Sequence, residues 1–128
     1  MRSNRIMIKK PDPQDTVMVV EITNSILKHL RSTGMYANLS GHEADYIAFL
    51  SNQGTYLAKV EMLKKRVPLN EIHPDSGSKA KTNLYKVGPL ERYHLKRNSK
   101  IPRGRKRITT FEKFIASKLT TDLFKSHY

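Results

Sequence analysis

Residues 99–107 read Ser-Lys-Ile-Pro-Arg-Gly-Arg-Lys-Arg, which places Lys100, Arg103, Arg105, Lys106 and Arg107 in one short stretch without a single acid. Lysine and arginine neutralise phosphates, and the release of condensed counterions makes that exchange favourable. Arginine adds planar, bidentate hydrogen bonding that lysine lacks. Pro102 biases Ile101 toward an extended backbone. Gly104, lacking a side chain, lets the main chain approach a phosphate or a groove floor closely. The chemistry offered is recognition of a polyanion.

The charge extends beyond this run. From Lys79 onward, Lys79, Lys81, Lys86, Arg92, Lys96 and Arg97 precede it, and Glu91 is the single opposing acid up to Arg107. Lys64, Lys65 and Arg66 form a second cluster upstream. The expected nucleic-acid-binding residues are therefore Lys64, Lys65, Arg66, Arg92, Lys96, Arg97, Lys100, Arg103, Gly104, Arg105, Lys106 and Arg107. Tyr85 and Tyr93 interleave with these cations. Tyr93 has the chemistry to stack on an unpaired base, although burial is the commoner use of such a ring.

The stretch Pro102-Arg103-Gly104-Arg105-Lys106 resembles the core of an AT-hook, a short minor-groove motif built on Pro-Arg-Gly-Arg-Pro. The resemblance covers these five positions alone, and Lys106 stands where the motif has its second proline. It implies that Arg103 and Arg105 lie along a narrow A·T minor groove with Gly104 on its floor. The same run also has the charge density of a nuclear-import signal. An RNA-binding arm that orders on its target, or a solvated loop, would use the same residues.

Residues suited to catalysis are sparse. His42, Glu43 and Asp45 sit close in sequence, but neighbours on a helix diverge and do not converge on a metal. His73 and Asp75 flank Pro74 in a loop. Gly77-Ser78-Lys79 lacks the earlier glycine of a phosphate-binding loop. Asn38-Leu39-Ser40 is a glycosylation sequon that reads more simply as a helix cap. Cysteine is absent, which removes disulfides, thiolate metal sites and a thiol nucleophile. No enzyme activity, metal or cofactor is expected.

The elements that must position the cations read as helices. Val19, Ile22, Ile26 and Leu30 recur at helical spacing over 15–33, and Gly34 stands where a helix stops. The β-branched run Thr-Val-Met-Val-Val-Glu-Ile-Thr equally suits a strand. Ser40-Gly41-His42-Glu43 has the form of a capping box for a helix over 40–52. Tyr56, Val60, Leu63 and Val67 keep one face over 55–67 until Pro68. Thr109 or Thr110 caps a last helix over 109–126.

These readings predict a mainly α fold: a small three- to four-helix core with an extended basic arm, and minor strand content near residues 5–8 and 84–95. Its parts are a basic tail or edge segment at 1–14, a helical core at 15–67, a loop-rich basic arm at 68–108, and a C-terminal amphipathic helix at 109–128. The apolar side of that last helix carries Phe111, Phe114, Ile115, Leu119 and Phe124, which must pack on the core or on a protein partner.

Composition supports a polyanion as partner. The chain has 128 residues, a formal net charge of +13 and 38% hydrophobic residues. Such self-repulsion suits a protein that meets a polyanion. The expected function is a nucleic-acid-binding protein, DNA favoured over RNA, contacting phosphates within a larger assembly. The alternative is a structural subunit of a nucleoprotein complex whose basic run is a nuclear-import or docking segment; a protein partner or a homo-oligomer is expected under either reading. No apolar run is long enough to span a membrane. A nuclear or other intracellular location is expected, with a mitochondrial one as the minority alternative because the first acid, Asp12, follows four cations.

Overall fold

The computed structural model describes residues 12–39, 41–74, 77–96 and 107–123. The expected strand at 5–8 falls outside them. The described residues form β1 (Thr16–Glu21), α1 (Asn24–Thr33), β2 (Met35–Asn38), β3 (Tyr46–Ser51) and β4 (Gly54–Pro68), followed by α2 (Leu69–Ile72), β5 (Lys81–Val87), β6 (Glu91–Tyr93), β7 (Ile108–Thr110), α3 (Phe111–Ala116) and α4 (Thr120–Leu123). The strands form one mixed sheet in the order β2-β5-β4-β3-β1-β7, with β6 also paired to β4. The mainly α, helical expectation is therefore overturned. The longest described helix, α1, has ten residues.

β1 shows why. Val17, Met18, Val19 and Val20 are all buried. β3 runs parallel to β1 on one side and β7 antiparallel on the other. A strand covered on both faces reads as a continuous apolar run rather than an alternation. The apparent helical stripe is formed by Val19 of this strand and Ile22 just after it, together with Ile26 and Leu30 on the helix that follows. α1 itself starts after Thr23, whose hydroxyl accepts from the Ile26 N–H at 3.2 Å. It stops at Gly34, in the left-handed region at φ 70°, where the Gly34 N–H reaches the Leu30 carbonyl at 2.8 Å.

The two expected helices at 40–52 and 55–67 are instead an antiparallel hairpin. β3 and β4 pair from Tyr46↔Lys59 to Ser51↔Gly54 around the two-residue turn Asn52-Gln53. β4 then outruns β3. Its second half pairs β5 from Val60↔Val87 to Pro68↔Lys81. β6 takes up the same edge as β5, from Leu57↔Glu91 to Thr55↔Tyr93. Within the expected 68–108 arm, residues 81–87 and 91–93 are thus built into the sheet, with β5 flanked by β2 and β4.

Both faces of the sheet carry core. On one, Met18, Val20, Ile47, Phe49 and Ala58 meet Leu30 of α1, Tyr36 of β2, and Tyr85 and Val87 of β5. On the other, Val17, Val19, Ala48, Leu50 and Leu57 meet Leu95, Phe114 and Leu123. The long C-terminal helix resolves into a strand and two short helices. Thr110 caps α3, its hydroxyl accepting from the Lys113 N–H at 3.2 Å. No helix among the described residues is long and apolar enough to cross a membrane.

Candidate nucleic-acid interface

The second half of β4 is the most basic strand of the sheet. It carries two bulges: Glu61 is an extra residue between Val60↔Val87 and Met62↔Lys86, and Lys65 with Arg66 together oppose Asn83 alone. A bulge bends its strand and re-aims the side chains around it. Lys64, Lys65 and Arg66 are all exposed. The register puts Lys64 and Lys86 on the same face as diagonal neighbours, because Lys64 faces Leu84 and Met62 faces Lys86. Beyond Lys59, no described strand pairs the other edge of β4.

Arg66 has φ 60° and is the one non-glycine residue at positive φ among those described. A side chain in this region costs about 1–2 kcal/mol, which glycine would avoid. Arg66 is exposed, so packing does not require its side chain. A guanidinium kept in a strained, solvent-facing position points to a role outside the fold.

A second group of cations lies at the other end of β4. Exposure alternates along Arg92, Tyr93, His94, Leu95 and Lys96, with the three basic residues outward and Tyr93 and Leu95 turned in. Arg92 lies over the β3–β4 turn. A Cβ at Gly54, whose φ is 140°, would stand 3.1 Å from the Arg92 Nε, so the glycine leaves that guanidinium its place. The Lys96 N–H donates to the Lys118 carbonyl at 2.8 Å, and the Thr120 N–H donates to the Lys96 carbonyl at 2.9 Å. These bonds pair Lys96 with Leu119 and bring the Lys118 backbone against Lys96. Lys118 escapes sequence reasoning, because only this bridge brings it to Lys96.

Arg107 behaves differently. It is half-buried, and its Nε finds no hydrogen-bond partner among the described residues. It lies close enough to Tyr36 for its charge to act on that phenol. Burial pushes the Tyr36 hydroxyl up, while the hydrogen bond from Asn38 and the Arg107 charge pull it back. Arg97, Lys100, Arg103, Gly104, Arg105 and Lys106, with the whole AT-hook-like stretch, lie outside the described residues.

The expected partner face is largely absorbed by the chain itself. Phe114 is 2% exposed and stands edge-on to Tyr93 at 5.3 Å. Phe111 packs against Tyr46 at 5.5 Å. Leu119 is half-buried, Ile115 is exposed, and Phe124 lies outside the described residues. Tyr93 therefore contributes to packing. Burial first, and then the Glu91 carboxylate, hold its hydroxyl above the usual range, so the ring stays neutral.

Of the residues weighed for catalysis, Asp45 and His73 have structural partners, and Asp75 lies outside the described residues. The capping-box reading of Ser40 to Glu43 fails, because 41–44 are not helical; Ser40 itself is outside the described residues. The Asp45 carboxylate accepts from the Thr16 N–H at 2.8 Å and from the Thr16 hydroxyl at 3.1 Å, tying β3 to β1. The His42 carbonyl accepts from the Tyr85 hydroxyl at 2.6 Å. His73 stacks on His29 of α1 with ring centroids 4.1 Å apart. Among the described residues, no group of three histidine, aspartate or glutamate side chains is arranged to hold a metal ion. The chain matches no family model, no curated protein and no solved structure.

Proposed function

We propose that this chain is a DNA-binding protein that engages phosphates through the bulged half of β4 and the basic segment 97–107. The observation that carries the reading is Arg66: a strained arginine that ends the exposed Lys64-Lys65 run, at a position where glycine costs less. The net charge of +13 supplies the long-range attraction. β5, the strand paired to this patch, has no acid, and Glu61 of β4 lies toward the Gly54 end, which leaves 64–66 an uninterrupted cationic step.

DNA is preferred over RNA on the Arg103-Gly104-Arg105 stretch, whose two arginines around a glycine suit a narrow minor groove. A role as a purely structural subunit has less support. Phe114, the centre of the expected docking face, is buried in the chain's own core.

The test is binding to A·T-rich and G·C-rich duplexes and to structured RNA, each across a salt series. Steep salt dependence is expected, with A·T-rich duplex bound most tightly. Replacing Arg103, Arg105, Lys106 and Arg107 together by alanine should flatten the slope. An unchanged slope would remove the segment from the interface, and absence of binding at low salt would remove the function.

A further inference from the structure

The cations at the Gly54 end of β4 surround a groove whose floor is apolar. The groove has a volume of about 520 Å³ and is lined by the turn at Gly54 and Thr55, the stretch from Arg92 to Lys96, and Lys118 with Leu119. That is a common size for a small-molecule site. Its rim has three permanent charges, Arg92, Lys96 and Lys118, together with His94, and no carboxylate lines it. Its floor comes from Tyr93, Leu95 and Leu119. The Thr55 hydroxyl is already engaged, donating to the Leu95 carbonyl at 2.8 Å. A site for phosphate alone would have no use for this apolar floor. A duplex, whose bases are stacked inside, could not reach the floor at all.

We infer that this groove takes an unpaired nucleotide of a DNA strand, with the base on the Tyr93–Leu119 floor and the flanking phosphates between Arg92, Lys96 and Lys118. The inference rests on the DNA-binding reading and extends it. The β4 cations hold duplex, and the groove holds a single-stranded end or gap beside it. Ten residues separate Gly54 from Lys64, so at about 3.3 Å per residue the two sites lie no more than about 33 Å apart along the strand. At about 3.4 Å per step of duplex, that distance spans at most about ten base pairs.

The experiment compares a blunt duplex, the same duplex with a three-nucleotide single-stranded overhang, and the same overhang made abasic. Affinity is read by anisotropy, and base contact by 2-aminopurine fluorescence within the overhang. The overhang is expected to bind about tenfold tighter than the blunt end, with the abasic overhang losing most of that gain. The ratio of overhang to blunt affinity should collapse toward one in Lys96→Ala/Lys118→Ala, where the bridging backbone bonds remain. It should persist in Lys64→Ala/Lys65→Ala, which weakens both ligands together.

A blunt duplex that binds with no gain from the overhang overturns the inference and leaves the DNA reading standing. Failure of every DNA ligand overturns both. An abasic overhang as good as the intact one shows a phosphate site without base contact, and defeats the inference. Tighter binding of a ribonucleotide overhang, or binding of phosphatidylserine vesicles that depends on Lys96 and Lys118 while DNA gains nothing, would identify a different occupant and defeat it equally.

Discussion

Replacing Lys64, Lys65 and Arg66 together by alanine tests the β4 interface where its physics is simplest. Each phosphate neutralised contributes about 0.9 to the slope of log affinity against log salt, so three contacts contribute about 2.7. Between about 50 and 200 mM salt, a slope difference of that size makes the wild type lose about 40-fold more affinity than the variant. The fold should barely register the change. All three side chains are exposed, and such substitutions fall within about 0.5 kcal/mol. Alanine at 66 keeps a Cβ at φ 60°, so the strain is neither relieved nor deepened. Arg66→Gly separates the two effects. It should raise unfolding stability by about 1 kcal/mol while lowering the salt slope by about one unit. The assay is fluorescence anisotropy with a labelled duplex over a salt series, paired with urea unfolding. An unaltered slope in the triple variant, with intact folding, would refute the assignment of these cations. An unaltered slope in Arg66→Gly would refute the argument from strain.

Other expectations concern the frame. Gly34→Ala should cost at least about 1–2 kcal/mol in urea unfolding, because φ is 70° and the new Cβ would stand 3.0 Å from the Val87 carbonyl oxygen; a loss under half of that would show that α1 and β5 separate easily. Phe114→Ala should cost about 3–5 kcal/mol, seen as a lower thermal midpoint, since Phe114 is 2% exposed in the second core; a marginal change would mean that α3 does not close that face. For His73, burial first and the nearby His29 charge second lower the pKa below the ordinary 6.5. The unfolded chain then takes up the proton more readily. The contribution to stability is full above pH 6.5 and is lost as pH falls through 6.5 toward the folded value. Unfolding measured across that window should show the loss in the wild type and a flatter profile in His73→Gln; identical profiles would remove His73 from the linkage.

The misreading of β4 has a specific cause. Tyr56, Ala58 and Val60 lie on one face of the strand by simple alternation, and the register places Leu63, opposite Tyr85, on that same face. The step from Val60 to Leu63 is three residues because the Glu61 bulge adds one. Steps of four and three through Tyr56, Val60 and Leu63 are the signature of a helix. A bulged strand thus counterfeits helical periodicity, and no propensity argument separates the two without a partner strand. β1 misleads for a different reason: its alternation is erased by burial on both faces. Local chemistry was legible where it acts alone. Gly34 ends α1 and Thr110 caps α3, because a left-handed backbone and a hydroxyl cap need nothing from distant residues. The same division holds for the interface. Lys64, Lys65 and Arg66 stand out in sequence as a run, whereas Lys118 joins Lys96 only through a backbone bridge across the fold. The bulge that disguised the strand and the bulge that strains Arg66 are successive departures in the β4–β5 pairing, and they bend a strand whose other edge no described strand pairs beyond Lys59. Irregular pairing is the usual protection of an open strand edge against further strands. Here that edge carries lysines and an arginine, which turn the same irregularity from strand addition toward phosphate.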